Sequence, residues 1–182
     1  MTVPVEPAAV DVQHLAAIRR NVELFLWSIA EHVVGEGAVV LDVAPQDHAG
    51  IRPFLPSSVR LETLDLDESS GATYIGDITQ HNAAVPDQRF DCIVCTEVLE
   101  HTLQPFDAVA EMRRMLRPGG ILAITVPFNF RVHGPLPDCW RFTEHGLRAL
   151  LTDFDLVSLD QLETPGRPLM PIQLTAVARR PA

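Results

Sequence analysis

Cysteine, aromatic residues and positive charge are all scarce in this 182-residue chain. Cys92, Cys95 and Cys139 are too few, and too apolar in setting, for a disulfide framework. Cys92 and Cys95 share a C-x-x-C spacing, but strand residues three apart point to opposite faces and cannot readily bridge or chelate. Buried, reduced thiols are expected. No apolar run approaches the roughly 20 residues that cross a bilayer, and the N-terminus lacks a basic-then-apolar leader. A cytoplasmic protein without a membrane partner is expected. Fourteen basic against 24 acidic residues leave a net charge of −10, which repels phosphate backbones and argues against a nucleic-acid partner. The pairs Arg19–Arg20, Arg113–Arg114 and Arg179–Arg180 read as solvated faces and a tail. No G-x-G-x-x-G follows the first apolar run, so an NAD-binding oxidoreductase is excluded on that fingerprint.

What is present suits one folded domain over residues 1–182, with an N-terminal tail and helix (1–34) and a core (38–178). Apolar residues make up 47% of the chain, enough for a sizeable core. Residues 1–9 are Pro- and Ala-rich and are expected to be loose. Leu15, Ile18, Val22, Phe25, Ile29 and Val33 recur at three- and four-residue steps, which predicts an amphipathic helix ended by Gly35 and Gly37. Short strands are predicted over 38–43, 59–64, 73–75, 92–95, 121–126, 156–159 and 172–178. A helix carrying Phe106, Val109, Met112 and Leu116 is stopped by Pro118-Gly119-Gly120, and Thr143 is placed to cap another. The alternation through Ile172, Leu174 and Ala176 suits an antiparallel partner. These elements predict an α/β layer structure with a mostly parallel sheet.

Chemistry-bearing residues collect at the predicted strand ends. Asp42, Asp65 and Asp77 close three successive strands, where an open α/β sheet presents its ligand crevice. A carboxylate after the second strand is placed to accept both hydroxyls of a ribose, and Asp77 beside the Ile78 amide matches an adenine edge. Taken singly, each of these aspartates could equally cap a loop. From Phe90 the chain reads FDCIVCTEVLEH, then a helix ending in LRPGG, then ILAITVPF and HGPLPDCWRFT.

That order of motifs resembles the class I S-adenosylmethionine-dependent methyltransferases. FDCIVCTEVLEH is similar to their fourth strand and following loop, EMRRMLRPGGILAITVP to the helix leading into strand five, and LETLDLD and YIGDIT to their ribose and adenine motifs. HGPLPDCWRFTEHGLRALL resembles a small branch of the superfamily usually assigned to sugars, glycans or secondary metabolites. The resemblance implies a Rossmann-like, seven-stranded, mostly parallel sheet with an antiparallel C-terminal strand and helices on both faces. It implies S-adenosylmethionine as cofactor, with its ribose on Asp65, Leu66 against the adenine face, and Asp77 and Ile78 at the adenine edge. Thr96 and Glu97 would line the methionine end, and Asp42 would reach the ammonium group directly or through water. The implied partner is a small-molecule acceptor, methylated on oxygen or nitrogen.

One motif departs from this pattern. Such enzymes follow the first acidic residue with glycines at alternate positions, where the backbone must approach the cofactor with positive φ. Here those positions hold Ala44, Gln46 and His48, Pro45 fixes its own φ, and the loop continues to Gly50, Arg52 and Pro53. Either the loop is rebuilt with Gly50 supplying the turn, or cofactor affinity is lost and the chain is a non-catalytic binding relative.

On the acceptor side, His133, His101 and Asp138 are the candidate catalytic groups, with Glu97 a further candidate base, and Trp140 and Arg141 are the candidate substrate contacts. A helix-terminal role for His101 and a loop-cap role for Asp138 stand beside catalysis. Packing of Trp140 under the loop and an Arg141–Asp138 pair are equal alternatives to substrate binding. His133, Cys139 and His145 lack paired ligand spacing, so no metal is expected. Residues 1–34 and the 127–142 loop are what the sequence offers to cover the site. A second subunit could add to that cover, which allows a homodimer.

Overall fold

The computed structural model describes residues 6–33, 37–45 and 49–182. The predicted helix stop at Gly35, and Gln46 and His48 in the first loop, lie outside the described residues. The first helix, α1 (Ala9–His32), starts upstream of the predicted Leu15 because the Asp11 carboxylate accepts the Ala8 amide at 3.1 Å and steadies the first turn.

Seven strands form one sheet: β1 (Val39–Val43), β2 (Arg60–Asp65), β3 (Tyr74–Ile75), β4 (Phe90–Thr96), β5 (Leu116–Pro127), β6 (Asp155–Leu162) and β7 (Gln173–Arg179). Their order is β3-β2-β1-β4-β5-β7-β6, and β7 alone runs against its neighbours. The sheet is thus mostly parallel with an antiparallel C-terminal strand, as the motif order implied. β7 slots between β5 and β6, so the final pair is antiparallel by virtue of β7.

Helices α2 (Pro105–Met115) and α3 (Glu144–Leu150) cover one face, and α1 covers the other. Val109, Met112 and Met115 of α2 and Leu147 and Leu150 of α3 pack with Leu41, Ile93, Cys95, Leu122 and Leu174. Leu26, Ile29 and Val33 of α1 pack with Val40, Cys92, Val94, Ala123 and Val177. Each such side chain contributes roughly 1.5–3 kcal/mol on burial. Cys92 and Cys95 fall in different clusters, on opposite faces, and both are buried free thiols. Burial pushes the Cys92 thiol up to about 12 and Cys95 higher still, so neither is reactive at neutral pH.

The connection from β1 to β2 holds a 3-10 turn (Arg52–Phe54) in place of an α-helix. Ile51, Leu55 and Val59 from it join the α1 cluster, so α1 and this loop together close that side of the sheet. α2 ends at Met115, short of the predicted stop, because Leu116 is already extended and pairs with Phe90; Pro118-Gly119-Gly120 lies inside β5 as an irregularity, with Gly119 at φ +78°. Thr143 caps α3, its hydroxyl accepting the Gly146 amide at 3.1 Å.

Candidate functional site

The register pairs Val43 with both Leu64 and Cys95, and Cys95 with Ile124, so these four parallel strands end in line. Ala44, Asp65, Thr96 and Thr125 follow at that common edge. Strand order reverses its direction of growth between β1 and β4, which makes the C-terminal edge there a topological switch point. A cavity of about 540 Å³ opens at this point. Its floor includes Ala44, Gly50, Thr96 and Glu97; Leu15, Ile18 and Val22 of α1 and Phe130, His133, Gly134 and Pro135 of the post-β5 loop form its walls. The two segments expected to cover the site do cover it.

The loop after β1 is rebuilt around Gly50. Ala44 occupies the first glycine position at φ +50°, so its backbone takes the left-handed conformation although the residue is alanine. Gly50 sits at φ +53°, and a Cβ there would stand 1.9 Å from Asp42 Oδ2. The absent side chain lets the loop fold down onto the Asp42 carboxylate, whose Oδ2 accepts the Ile51 amide at 2.9 Å. Asp42 is 1% exposed, and burial raises it to about 6 against the lowering effect of that amide.

Asp65 ends β2 and is buried, with Oδ1 accepting the Asp67 amide at 2.9 Å. Leu66, 70% exposed, presents an apolar face beside it. Asp77 accepts both the amide and hydroxyl of Thr79 at 2.8 Å, the loop-capping arrangement, and Ile78 is buried behind it. Neither Asp65 nor Asp77 lines the cavity.

Glu97 follows Thr96 at φ +54°, a strained turn that aims its carboxylate inward. Oε1 accepts the Thr125 hydroxyl and the Gln173 amide, each at 2.8 Å, and Gln173 is held by Asn21 of α1 at 2.7 Å. Burial raises the Glu97 carboxyl, opposed by these two donors. Asn21 and Gln173 were not flagged by the sequence; their signal exists only once α1 and β7 are brought to the strand edge.

His101 and His133 meet across the cavity mouth with ring centroids 4.8 Å apart. His133 is lowered first by burial, with the Asp138 charge opposing. The side chain of Asp138 is buried and gripped by Arg141 through both carboxylate oxygens, at 2.5 and 2.8 Å. The Arg141 hydrogen bonds hold Asp138 at about 2, which makes it a poor proton acceptor. Arg141 also donates to the carbonyls of Phe130, Arg131 and Trp140. All five guanidinium donors are thus used inside the loop, leaving none for a substrate anion. Trp140 is 41% exposed, donates Nε1 to the Thr102 carbonyl at 2.8 Å and stacks on Phe142, away from the cavity lining. Trp140, Arg141 and Asp138 form a frame that shapes the loop, the structural alternative named for them from the sequence. The reason lies in the tertiary fold: the buried carboxylate must have a partner, and Arg141 is adjacent.

Sequence reasoning missed Glu100. It is 0% exposed, in the 3-10 turn Leu99–His101, beneath the two histidines.

A doubly wound sheet with a cavity at its switch point is the arrangement in which open α/β proteins hold small ligands. The chain matches the methyltransferase domain family over residues 13–161 and belongs to it. A 48-residue segment is 40% identical to the ubiquinone biosynthesis O-methyltransferase of Proteus mirabilis, covering 26% of this chain and 20% of that enzyme. The match thus spans one fifth of that relative's length. Among solved structures, the N-methyltransferase NodS from Bradyrhizobium japonicum is 22% identical with a TM-score of 0.63, covering 91% of this chain and 98% of that one. The [4+2]-cyclase SpnF is 16% identical with a TM-score of 0.68, covering 90% and 80%. These likenesses establish the class I methyltransferase fold; fold alone does not name a reaction.

Proposed function

We propose that this chain is an active S-adenosylmethionine-dependent methyltransferase acting on an oxygen or nitrogen of a small acceptor, a sugar or glycan precursor or a secondary metabolite. The observation that carries this reading is the Asp42–Gly50 contact. A degenerate glycine motif could mean a lost site, yet Gly50 lets the rebuilt loop fold closely onto the Asp42 carboxylate at the cavity floor, which supports a site kept in another form. The residues fit the cofactor. The buried Asp42 carboxylate lacks a cationic partner among the described residues, Asp65 is committed through one oxygen to its own loop, and Leu66 offers an apolar face.

S-adenosylmethionine, when bound, supplies an electrophilic methyl on a sulfonium. The chain's part is placement and water exclusion, since in-line transfer needs little else. Asp42 would hold the ammonium, Ala44 and the Thr96–Glu97 turn the methionine end, Asp65 the ribose, Leu66 the adenine face, and Asp77 and Ile78 the adenine edge. Glu97 is fixed by Thr125 and Gln173 and is thereby pre-oriented. Ile18 and Val22 of α1, with Phe130, give the cavity an apolar wall that keeps water from the reacting atoms. The acceptor would lie against His101 and His133, whose Nε2 lone pairs, where no ion holds them, would take an acceptor proton in preference to the Arg141-bound Asp138. The loop through Trp140 to Thr143 supports the sugar- and metabolite-modifying branch, and a homodimer remains compatible with its exposed rim.

Calorimetry with S-adenosylhomocysteine tests the reading. Binding is expected, with Asp65→Ala weakening it at least roughly tenfold, about 1.4 kcal/mol, through loss of two ribose hydrogen bonds. No heat at millimolar ligand would favour the non-catalytic relative.

A further inference from the structure

Glu100 is the one residue whose side-chain oxygens are buried without a hydrogen-bond partner among the described residues. A buried polar group in that condition is costly, and an ion is one explanation for it. Its Oε1 lies 3.7 Å from His101 Nε2 and 3.8 Å from His133 Nε2, too far for hydrogen bonds and nearly equal. The ligating atoms of the three residues fall within 4.8 Å of one another.

The histidines are oriented from behind. His101 Nδ1 lies 3.0 Å from the Pro137 carbonyl oxygen, and His133 Nδ1 lies 3.1 Å from Asp138 Oδ2 and 3.3 Å from the Arg131 carbonyl. An oxygen acceptor at each Nδ1 places the proton there and leaves the Nε2 lone pair free. Both lone pairs then face the Glu100 carboxylate, and three electron-rich atoms converge. Imidazoles held by a carbonyl and a carboxylate through the far nitrogen are the outer partners that metal-binding histidines use. Arg141, by gripping Asp138, locks the second of them.

We propose that Glu100, His101 and His133 bind a divalent first-row transition-metal ion such as Zn²⁺, Fe²⁺, Co²⁺ or Mn²⁺. Ligands about 2.0–2.2 Å from one ion stand roughly 3.0–3.5 Å apart, so separations of 3.7 and 3.8 Å close by a small rotation of each side chain. Two imidazoles and one carboxylate suit these ions; Mg²⁺ and Ca²⁺ prefer all-oxygen sets and are excluded. Three protein ligands leave positions open, and the two histidines line the cavity, so an ion there is open to a ligand in it. The fitting ligand carries a hydroxyl or carboxylate oxygen. Identifying that ligand with the methyl acceptor rests on the function proposed above; the metal site itself does not.

The test is titration of chelator-stripped protein with Co²⁺, read by visible absorption and calorimetry, with Zn²⁺ as competitor and Mg²⁺ as control. One equivalent of Co²⁺ should bind, displaced by Zn²⁺ and not by Mg²⁺. His101→Ala and Glu100→Gln should each weaken binding by at least the roughly 10–100-fold that losing an outer partner costs. Melting of the stripped proteins supplies the folding control. Glu100→Gln keeps the size and shape of the buried side chain and should melt close to the parent without metal, yet lose the metal-dependent rise. Absence of stoichiometric binding, or binding unchanged in folded Glu100→Gln, overturns the proposal. S-adenosylhomocysteine calorimetry on the same stripped protein separates the two readings, since metal binding without it would sink only the cofactor assignment.

Discussion

Replacing Asp42 by asparagine should stabilise the unliganded protein at neutral pH while weakening its hold on S-adenosylmethionine. In the folded chain burial raises Asp42 from the ordinary 3.8 to about 6. Between these values the folded state keeps a proton that the unfolded chain releases. Stability therefore falls as pH rises through this window, and the deficit is complete above about pH 6. A difference of this size corresponds to about 3 kcal/mol. Asparagine keeps an oxygen for the Ile51 amide but buries an amide NH₂, which takes back roughly 1–2 kcal/mol. A net gain of about 1–2 kcal/mol is expected at pH 8, shrinking or reversing at pH 5, where Asp42 is already mostly protonated. Urea unfolding of parent and variant across this range isolates the group, because every other titration cancels in the difference. The same variant should bind S-adenosylmethionine at least roughly tenfold more weakly if Asp42 faces the ammonium. A stability difference that stays constant from pH 5 to 8 would refute the burial argument, whatever the affinity does.

Two further perturbations address the loops. At the rebuilt β1 loop, Gly50→Ala meets both φ +53° and the 1.9 Å approach to Asp42, so a loss of roughly 1–3 kcal/mol is expected. Ala44→Gly relieves φ +50° and should gain about 1 kcal/mol; denaturant midpoints that move in the same direction for both would count against this geometry. In the post-β5 loop, Arg141→Lys cannot reproduce a five-donor fork, and the buried Asp138 loses its bidentate partner. A loss of about 2–3 kcal/mol, read as a fall of roughly 5–10 °C in Tm, is expected. An unchanged melt with reduced substrate binding would return Arg141 to the substrate-clamp role.

Much of the fold was legible because its signals are local. The all-apolar run Cys92–Cys95 could only be a buried parallel strand, and it lies centrally in β4. The strand-end aspartates fell where period and turn chemistry put them, with Asp42 and Asp65 at strand ends and Asp77 just beyond β3. That the last strand runs antiparallel was legible in its alternation, but its insertion between β5 and β6 was not, since pairing partners are set by long-range packing. The roles inside the HGPLPDCWRFT loop were open for a similar reason. Trp140 and Arg141 carry the same side chains whether they meet a substrate or their own backbone, and only the fold showed the Thr102 and Phe130 carbonyls within reach.

The sequence by itself determined the α/β layers, the class of the chain and the strand ends where its chemistry gathers, because helix and strand periods and turn residues act over a few positions. Tertiary structure alone decided how the degenerate first loop closes, since Gly50 acts through a distance to Asp42 that no pattern encodes. It also decided that Glu100, an ordinary acidic residue in an acidic chain, is buried against two histidines, one of them 33 positions further on. Burial and convergence depend on distance in space, and distance in space is what separation along a chain does not report.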